Sequence, residues 1–451
     1  MNAETNTLAF PAASQEEPQA EPSSFSQFNL MHRLPGLLRI LGAGALIIAM
    51  YSFLVKGWDS GNDIYRYLFM LGHTGVLAAV GLASGHWLKE SKGARLLLTL
   101  ALVSIPANFA ILGAFIFSQT NAVNISYYPH YVAWTVDTLP AALFTGGGAL
   151  FILVPVTLLG FTVLARSLSK KLSFLFLLSN AALLLPLRDP QIIAMMVLAF
   201  TFVNVVFSYK TSQQNIVTKT HEGLVALGLL VLPLAVLMGR SLWLYSLDSF
   251  LLSVLAISCF YLLRQSALIF EQDSKSRRIL DRLSLLPAIS VTPLLSQALF
   301  GTTLIMEELS IPIAALVSAA MIYDTAQYKS SNSYKYRHIA TAILLISLLF
   351  NMYVFSGLVT AISNIVIGFG LLVMGFKKQQ RGVLSSGIVL ILLGMFQQFY
   401  ELFNHFDIGS WLSLASLGII SIVFASTIES QGGKIKSQFE NWKIKLKQWE
   451  K

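Results

Sequence analysis

Apolar runs of about 20 residues, the length that crosses a bilayer core about 30 Å thick, recur along the chain with short polar connections between them. The pattern predicts helices over 35–55, 67–88, 96–118, 139–165, 172–187, 190–208, 223–239, 242–263, 283–301, 309–328, 339–356, 357–376, 383–402 and 410–428. Backbone N–H and C=O groups left unpaired in lipid cost several kcal/mol each, so spanning segments close their hydrogen bonds within helices. The runs are too long and too unbroken for barrel strands, which alternate in polarity over about 10 residues. The expected fold is all-α: a polytopic transmembrane bundle of about 14 membrane-spanning helices. Residues 1–33 read as a disordered cytoplasmic tail, 34–429 as the helical domain and 430–451 as a cytoplasmic amphipathic interfacial helix.

The connections carry a second pattern. One set holds Arg33 and Arg39; Lys89, Lys92 and Arg95; Arg166, Lys170 and Lys171; Lys210 and Lys219; Arg264, Lys275, Arg277, Arg278 and Arg282. It continues with Lys329, Lys335 and Arg337; Lys377, Lys378 and Arg381; and Lys434, Lys436, Lys443, Lys445, Lys447 and Lys451. The alternate connections hold only Lys56, Arg66, Arg188 and Arg240. Basic residues mark cytoplasmic loops, so the expected orientation is N-in/C-in. Losing or adding one helix would scramble every later loop.

Composition fits this reading. The chain has 451 residues, 55% hydrophobic and 12% charged, against about 25% charged in soluble domains. Its net charge of +9 is spread over the basic connections, which removes any need for a nucleic-acid partner. Residues 1–30 hold Glu4, Glu16, Glu17 and Glu21 but no Lys or Arg, so no secretory signal is read there. The first helix is expected to act as an uncleaved anchor. Cys259 is the single cysteine, which excludes an internal disulfide. Asn124-Ile-Ser126 matches a glycosylation acceptor, a triplet common by chance.

Two segments stand out. Pro186 to Pro190 closes the short fifth run, and Pro287 and Pro293 interrupt the ninth. Proline frees helix carbonyls, and transporters often build sites on such helices. In the tail, Ile435, Phe439, Trp442, Leu446 and Trp449 recur at helical spacing within an arc of about 80°. Lys443 and Lys447 lie on other faces, so the segment is expected to rest on anionic lipid.

Intramembrane polar residues are the candidates for chemistry. Arg39 is placed to snorkel, Asp248 to pair with Arg240, and Asp324 and Glu401 to lie near span ends. His73, Asn108, Asn180, Asn204, Gln297, Asn351 and Gln397, with Asn364 and Gln398, form a candidate polar pathway or helix-packing set. Gly146-Gly-Gly148 is expected to serve close helix packing. No catalytic, cofactor-binding or metal-ligating residues are assigned, and no cofactor is expected. Asp59 and Asp63 resemble the first-outer-loop acids of membrane glycosyltransferases, but the loop here is short.

Arg381-Gly-Val-Leu-Ser-Ser-Gly387, Gln397-Gln-Phe-Tyr-Glu-Leu-Phe403, Ser416-Leu-Gly418 and the opening Leu41-Gly-Ala-Gly44 carry a further likeness. Together they resemble uncharacterised bacterial multi-pass membrane proteins of unknown function. The resemblance implies a bacterial inner (cytoplasmic) membrane and no particular activity. Three readings follow: a non-enzymatic envelope component or modulator, a transporter or lipid-linked-saccharide flippase, and a membrane-embedded glycosyltransferase. The expected partners are the lipid bilayer, anionic lipid at the C-terminal helix, and envelope proteins.

Overall fold

The structure, a computed structural model, describes residues 25–55, 62–87, 89, 91–120, 133–214, 217, 220–244, 248–271, 274–302, 305–327, 333–355, 357–405, 419, 422 and 426. Every regular element among them is helical. The first eight are α1 (Phe25–Val55), α2 (Asp63–Trp87), α3 (Ser91–Thr120), α4 (Leu139–Leu164), α5 (Ser169–Leu184), α6 (Pro190–Gln214), α7 (His221–Leu229) and α8 (Leu232–Leu244). The rest are α9 (Ser249–Ile269), α10 (Lys275–Leu283), α11 (Leu285–Leu299), α12 (Ser310–Gln327), α13 (Ser333–Val354), α14 (Leu358–Lys378) and α15 (Arg381–His405).

Eleven segments among the described residues are long and apolar enough to cross a membrane, with α7–α8 and α10–α11 each acting as one. The apolar part of α1 is shorter, Leu34–Met50, and α5 has 16 residues. Asp248, expected inside the eighth run, instead caps α9, its Oδ1 accepting from the Leu251 amide at 2.9 Å. The run 410–428, apart from three positions, and the tail residues Phe439, Trp442, Lys443, Leu446, Lys447 and Trp449 lie outside the described residues. So do Lys56, Asp59 and Asn124-Ile-Ser126.

Both interrupted segments break just before a proline. Pro233 removes the amide that would meet the Leu229 carbonyl, and the α7–α8 joint falls there. The neighbouring Leu230 carbonyl accepts instead from Asn204 Nδ2 on α6, at 3.4 Å. Pro287 likewise withdraws the donor for Leu283, where α10 gives way to α11. Further along, Ser318 Oγ on α12 donates to the Ala288 carbonyl at 2.7 Å, beside the turn that Pro293 loosens.

Two apolar cores result. One is centred on α3, which is apolar on all sides and therefore enclosed. Leu98, Ala101, Leu102, Ile105, Phe109, Leu112 and Phe115 are all buried against α2, α4, α5 and α8. The second runs through α9 and α11–α15 around Phe260, Ala288, Ala315, Ile322, Leu344 and Leu390. α6 joins them, packing on α8 and α9. The outer surface is apolar as well: Phe144 and Phe151 are 86% and 85% exposed, and Phe202, Val366 and Phe396 also face outward. Water-soluble proteins rarely show apolar surface on this scale.

Small residues set the closest approaches. On α14, Ala361, Gly368 and Gly375 recur every seven residues, and on antiparallel α15 Gly387 and Gly394 do the same. A Cβ at Gly387 would lie 2.6 Å from the Leu372 nitrogen and 2.7 Å from the Gly368 oxygen. At Gly113 a Cβ would fall 2.0 Å from the Leu183 oxygen, so α3 and α5 meet backbone to backbone. Gly357, at φ +136°, turns α13 into α14 through a region suited to glycine. The run Gly146–Gly148 departs from expectation. Gly146 only just reaches Leu112, at 4.0 Å, and Gly147 and Gly148 face open space, because α4 buries Ala142, Ala149 and Leu153 instead.

These contacts predict that Gly387→Leu lowers stability by about 1–3 kcal/mol through overpacking, read as a fall in Tm of the detergent-solubilised protein. Gly148→Leu, directed into open space, leaves Tm unchanged.

Candidate functional site

The most concentrated buried charge lies where α9, α10 and α12 end together. Arg264, one and a half turns from the end of α9, is 3% exposed; Asp281 on α10 is equally buried. Arg264 Nη1 donates to Asp281 Oδ1 at 3.3 Å, and its Nε lies 3.8 Å from Asp324 Oδ2 on α12. Arg277, one turn before Asp281, brings its Nε to 4.0 Å from Asp281 Oδ2 and donates from Nη1 to the Phe270 carbonyl at 3.4 Å. Two cations and two anions thus neutralise one another.

The local sequence explains how these charges come inside. Ser274 Oγ accepts from the Arg277 amide and starts α10. Arg277 and Asp281, four apart, occupy its buried face, while Ile279 and Leu283 are 55% and 44% exposed. Lys275, Arg278 and Arg282 are exposed as well, so α10 buries one balanced pair of charges and leaves three cations on its outer side. Sequence reading counted Arg264 and Arg277 as loop charges and did not single out Asp281. The signal available was the Arg277–Asp281 pair at i, i+4 spacing, with Asp281 the single acid on a short basic helix. Asp324 lies in the penultimate turn of α12, near the expected level, but as a partner of Arg264.

A second polar group gathers at the start of α2. Asp63, the first residue of α2, accepts from the Thr135 amide at 2.8 Å and lies 3.9 Å from Arg66 Nη1. Arg66 is buried, its guanidinium carbon 4.1 Å from the Trp134 ring centre. Asp63 therefore ties the segment before α4 to α2 rather than standing in a loop. Nearby, Arg188 donates to the Leu185 and Leu187 carbonyls at 3.2 and 2.9 Å and lies over the Phe117 ring at 4.3 Å. Arg240 donates to the Leu183 carbonyl at 3.1 Å. These three arginines are exceptions to the charge alternation, and each is held by carbonyls, a carboxylate or an aromatic ring.

The candidate polar residues do not meet in one place. Asn108 donates to Thr74 Oγ1 and to the Ser104 carbonyl, both at 2.9 Å, and Thr74 and Ser104 share a hydrogen bond of 2.8 Å. That network stitches α2 to α3, while the neighbouring His73 Nε2 is buried without a hydrogen-bond partner among the described residues. Asn180 donates to its own helix at Phe176, Asn204 meets Leu230, and Gln297 is exposed on α11. Asn351 on α13 and Asn364 on α14 are fully buried with no hydrogen-bond partner among the described residues; Gln397 on α15 is nearly so. An apolar cleft among α12, α13 and α14 is lined by none of these. Among the described residues, no three His, Cys, Asp or Glu side chains are grouped to hold a metal ion.

Comparison with known protein families, curated proteins and solved structures found no match to the chain.

The charge cluster predicts unequal costs on truncation. Asp281→Ala, leaving the buried Arg277 without a carboxylate and Arg264 with only the more distant Asp324, lowers stability by about 3–5 kcal/mol. Asp324→Ala, whose carboxylate side chain is 39% exposed, costs about 1 kcal/mol or less. Chemical denaturation in detergent ranks the two.

Proposed function

We propose that the chain is a multi-pass protein of a bacterial inner membrane, crossing it fourteen times with both termini in the cytoplasm. Within that membrane it serves as a non-enzymatic envelope component, a helical platform that scaffolds or modulates a membrane complex.

The observation that carries the topology is the agreement between charge and contact. Arg95 on α3 pairs with Glu222 on α7, and both belong to ends flanked by basic connections. The Arg264–Asp281–Asp324 cluster joins three more basic ends. Gly382 approaches His338, bringing the basic starts of α13 and α15 together. At the charge-poor ends, Asp63 meets Thr135, Gln119 donates to Val136, and Arg240 meets Leu183. None of these ties joins a basic end to a charge-poor one, which supports the two sides that the loops predict.

The non-enzymatic reading is supported by how the polar groups are used. Asp63 is occupied as a structural tie, Asn108 and Asn204 fasten helices, and the buried charges balance internally. A transporter that binds an ion or sugar keeps polar groups converging on a cavity near the membrane midplane, whereas the α12–α14 cleft has an apolar lining.

Orientation is tested in a Cys259→Ser background with single cysteines and a membrane-impermeant maleimide. In intact cells the reagent should label Asp137→Cys and Asp189→Cys, and should label Lys92→Cys and Gln379→Cys only after permeabilisation. The reverse pattern, or labelling of both sets in intact cells, would reject the topology. Asp63→Asn, which keeps an acceptor for Thr135 but removes the carboxylate, should support wild-type envelope integrity. Failure of this variant with normal protein levels would favour the transferase reading.

A further inference from the structure

The cleft among α12, α13 and α14 has a volume of about 400 Å³, within the range of about 300–1,000 Å³ typical of small-molecule sites. Its walls include Ala320, Tyr323, Thr341, Leu344, Gly370 and Met374. Leu316 and Val366, which also line it, are 43% and 63% exposed, so it opens on the outer surface of the bundle. Gly370 keeps the space free, since a Cβ there would meet nothing within 4 Å. An apolar slot facing outward in this way is shaped for a hydrocarbon chain rather than a polar solute.

Its basic end is equally specific. On α14, Lys377 and Lys378 follow Met374 by three and four residues and therefore extend the same helix face. On α13, Arg337 precedes Ala340 and Thr341 by three and four residues, and the Thr341 hydroxyl donates to the Arg337 carbonyl at 2.9 Å. By helix register three cations thus stand one turn beyond one end of the slot, Arg337 donating there to the Ser333 carbonyl at 3.4 Å and hydroxyl at 3.2 Å. The acid nearest the rim on the third wall, Asp324, is turned to Arg264. Basic pockets between helices on the cytoplasmic side are the sites that hold anionic lipid headgroups.

We infer that this cleft is a binding site for one anionic phospholipid, with an acyl chain along Ala320, Leu344 and Gly370 and its phosphate at Arg337, Lys377 and Lys378. The inference rests on the membrane reading given above. It is distinct from the tail segment expected to lie on the membrane surface, because the lipid here is held between helices.

The test is native mass spectrometry of the full-length chain purified from mixed micelles holding equal phosphatidylglycerol and phosphatidylcholine of matched chains. The wild type should retain phosphatidylglycerol preferentially. Lys377→Gln/Lys378→Gln, two exposed positions with no part in the core, should lower that preference roughly tenfold. Gly370→Phe should abolish retention of either lipid while elution volume and Tm stay those of the wild type. Equal retention of both lipids by the wild type would overturn the proposal. So would no retention, which would point to a protein segment as the cover of the cleft, or full retention by a folded Gly370→Phe. A chain recovered without detergent would instead fail the membrane reading itself. A chain that needs detergent but shows no lipid preference fails this inference alone.

Discussion

A carbonyl freed inside an apolar bundle has to be met by a donor from the protein, because no water is there to meet it. Much of this structure follows from that constraint. Pro233 and Pro287 interrupt two membrane-length segments; Asn204 reaches the Leu230 carbonyl at the first break, and Ser318 the Ala288 carbonyl beside the turn that Pro293 loosens. At the charge-poor ends, Arg240 performs the same service on the Leu183 carbonyl, while Arg188 ties the exposed Leu185 and Leu187 carbonyls after α5. Asn204, one of the residues that look like candidates for chemistry, is thereby committed to completing the backbone. This is also why cations appear on the side where the loop pattern disfavours them.

Where no polar tie is available, close approach takes over. Lipid tails are as apolar as leucine, so association of helices in a bilayer depends on contact area more than on exclusion of water. The glycine stripes of α14 and α15 and the backbone meeting of Gly113 with Leu183 supply that contact. The charge cluster of Arg264, Arg277, Asp281 and Asp324 is the costliest feature, since each desolvated ion must be repaid by its partner. It pins α9, α10 and α12 at one level, next to the wall of the cleft that Tyr323 helps to form.

Hydrophobic length was enough to locate eleven membrane-length segments among the described residues. Where sequence reading went astray, the cause was side-chain direction. Asp281 and Arg277 look like ordinary loop charges until α10 is seen to bury these two while leaving Lys275, Arg278 and Arg282 exposed. Gly147 and Gly148 look like a packing motif until Ala149 and Leu153 are seen to hold the contact. Asp63 reads as a loop acid because its partner, the Thr135 amide, lies 72 residues away. The α12–α14 cleft was not legible at all, as it arises from the mutual placement of three helices. The small residues along it, such as Ala320 and Gly370, look no different from those used for packing.

The central claim is that intramembrane polar side chains stand in for water at helix breaks. It is tested most directly by amide hydrogen exchange across the α7–α8 joint, comparing Asn204→Leu with the wild type in the same lipid. Loss of the donor to Leu230 should speed exchange around residues 229–235 roughly fivefold to tenfold, leaving α2, α3 and α14 unchanged. Exchange at the joint as slow in the variant as in the wild type would contradict the account.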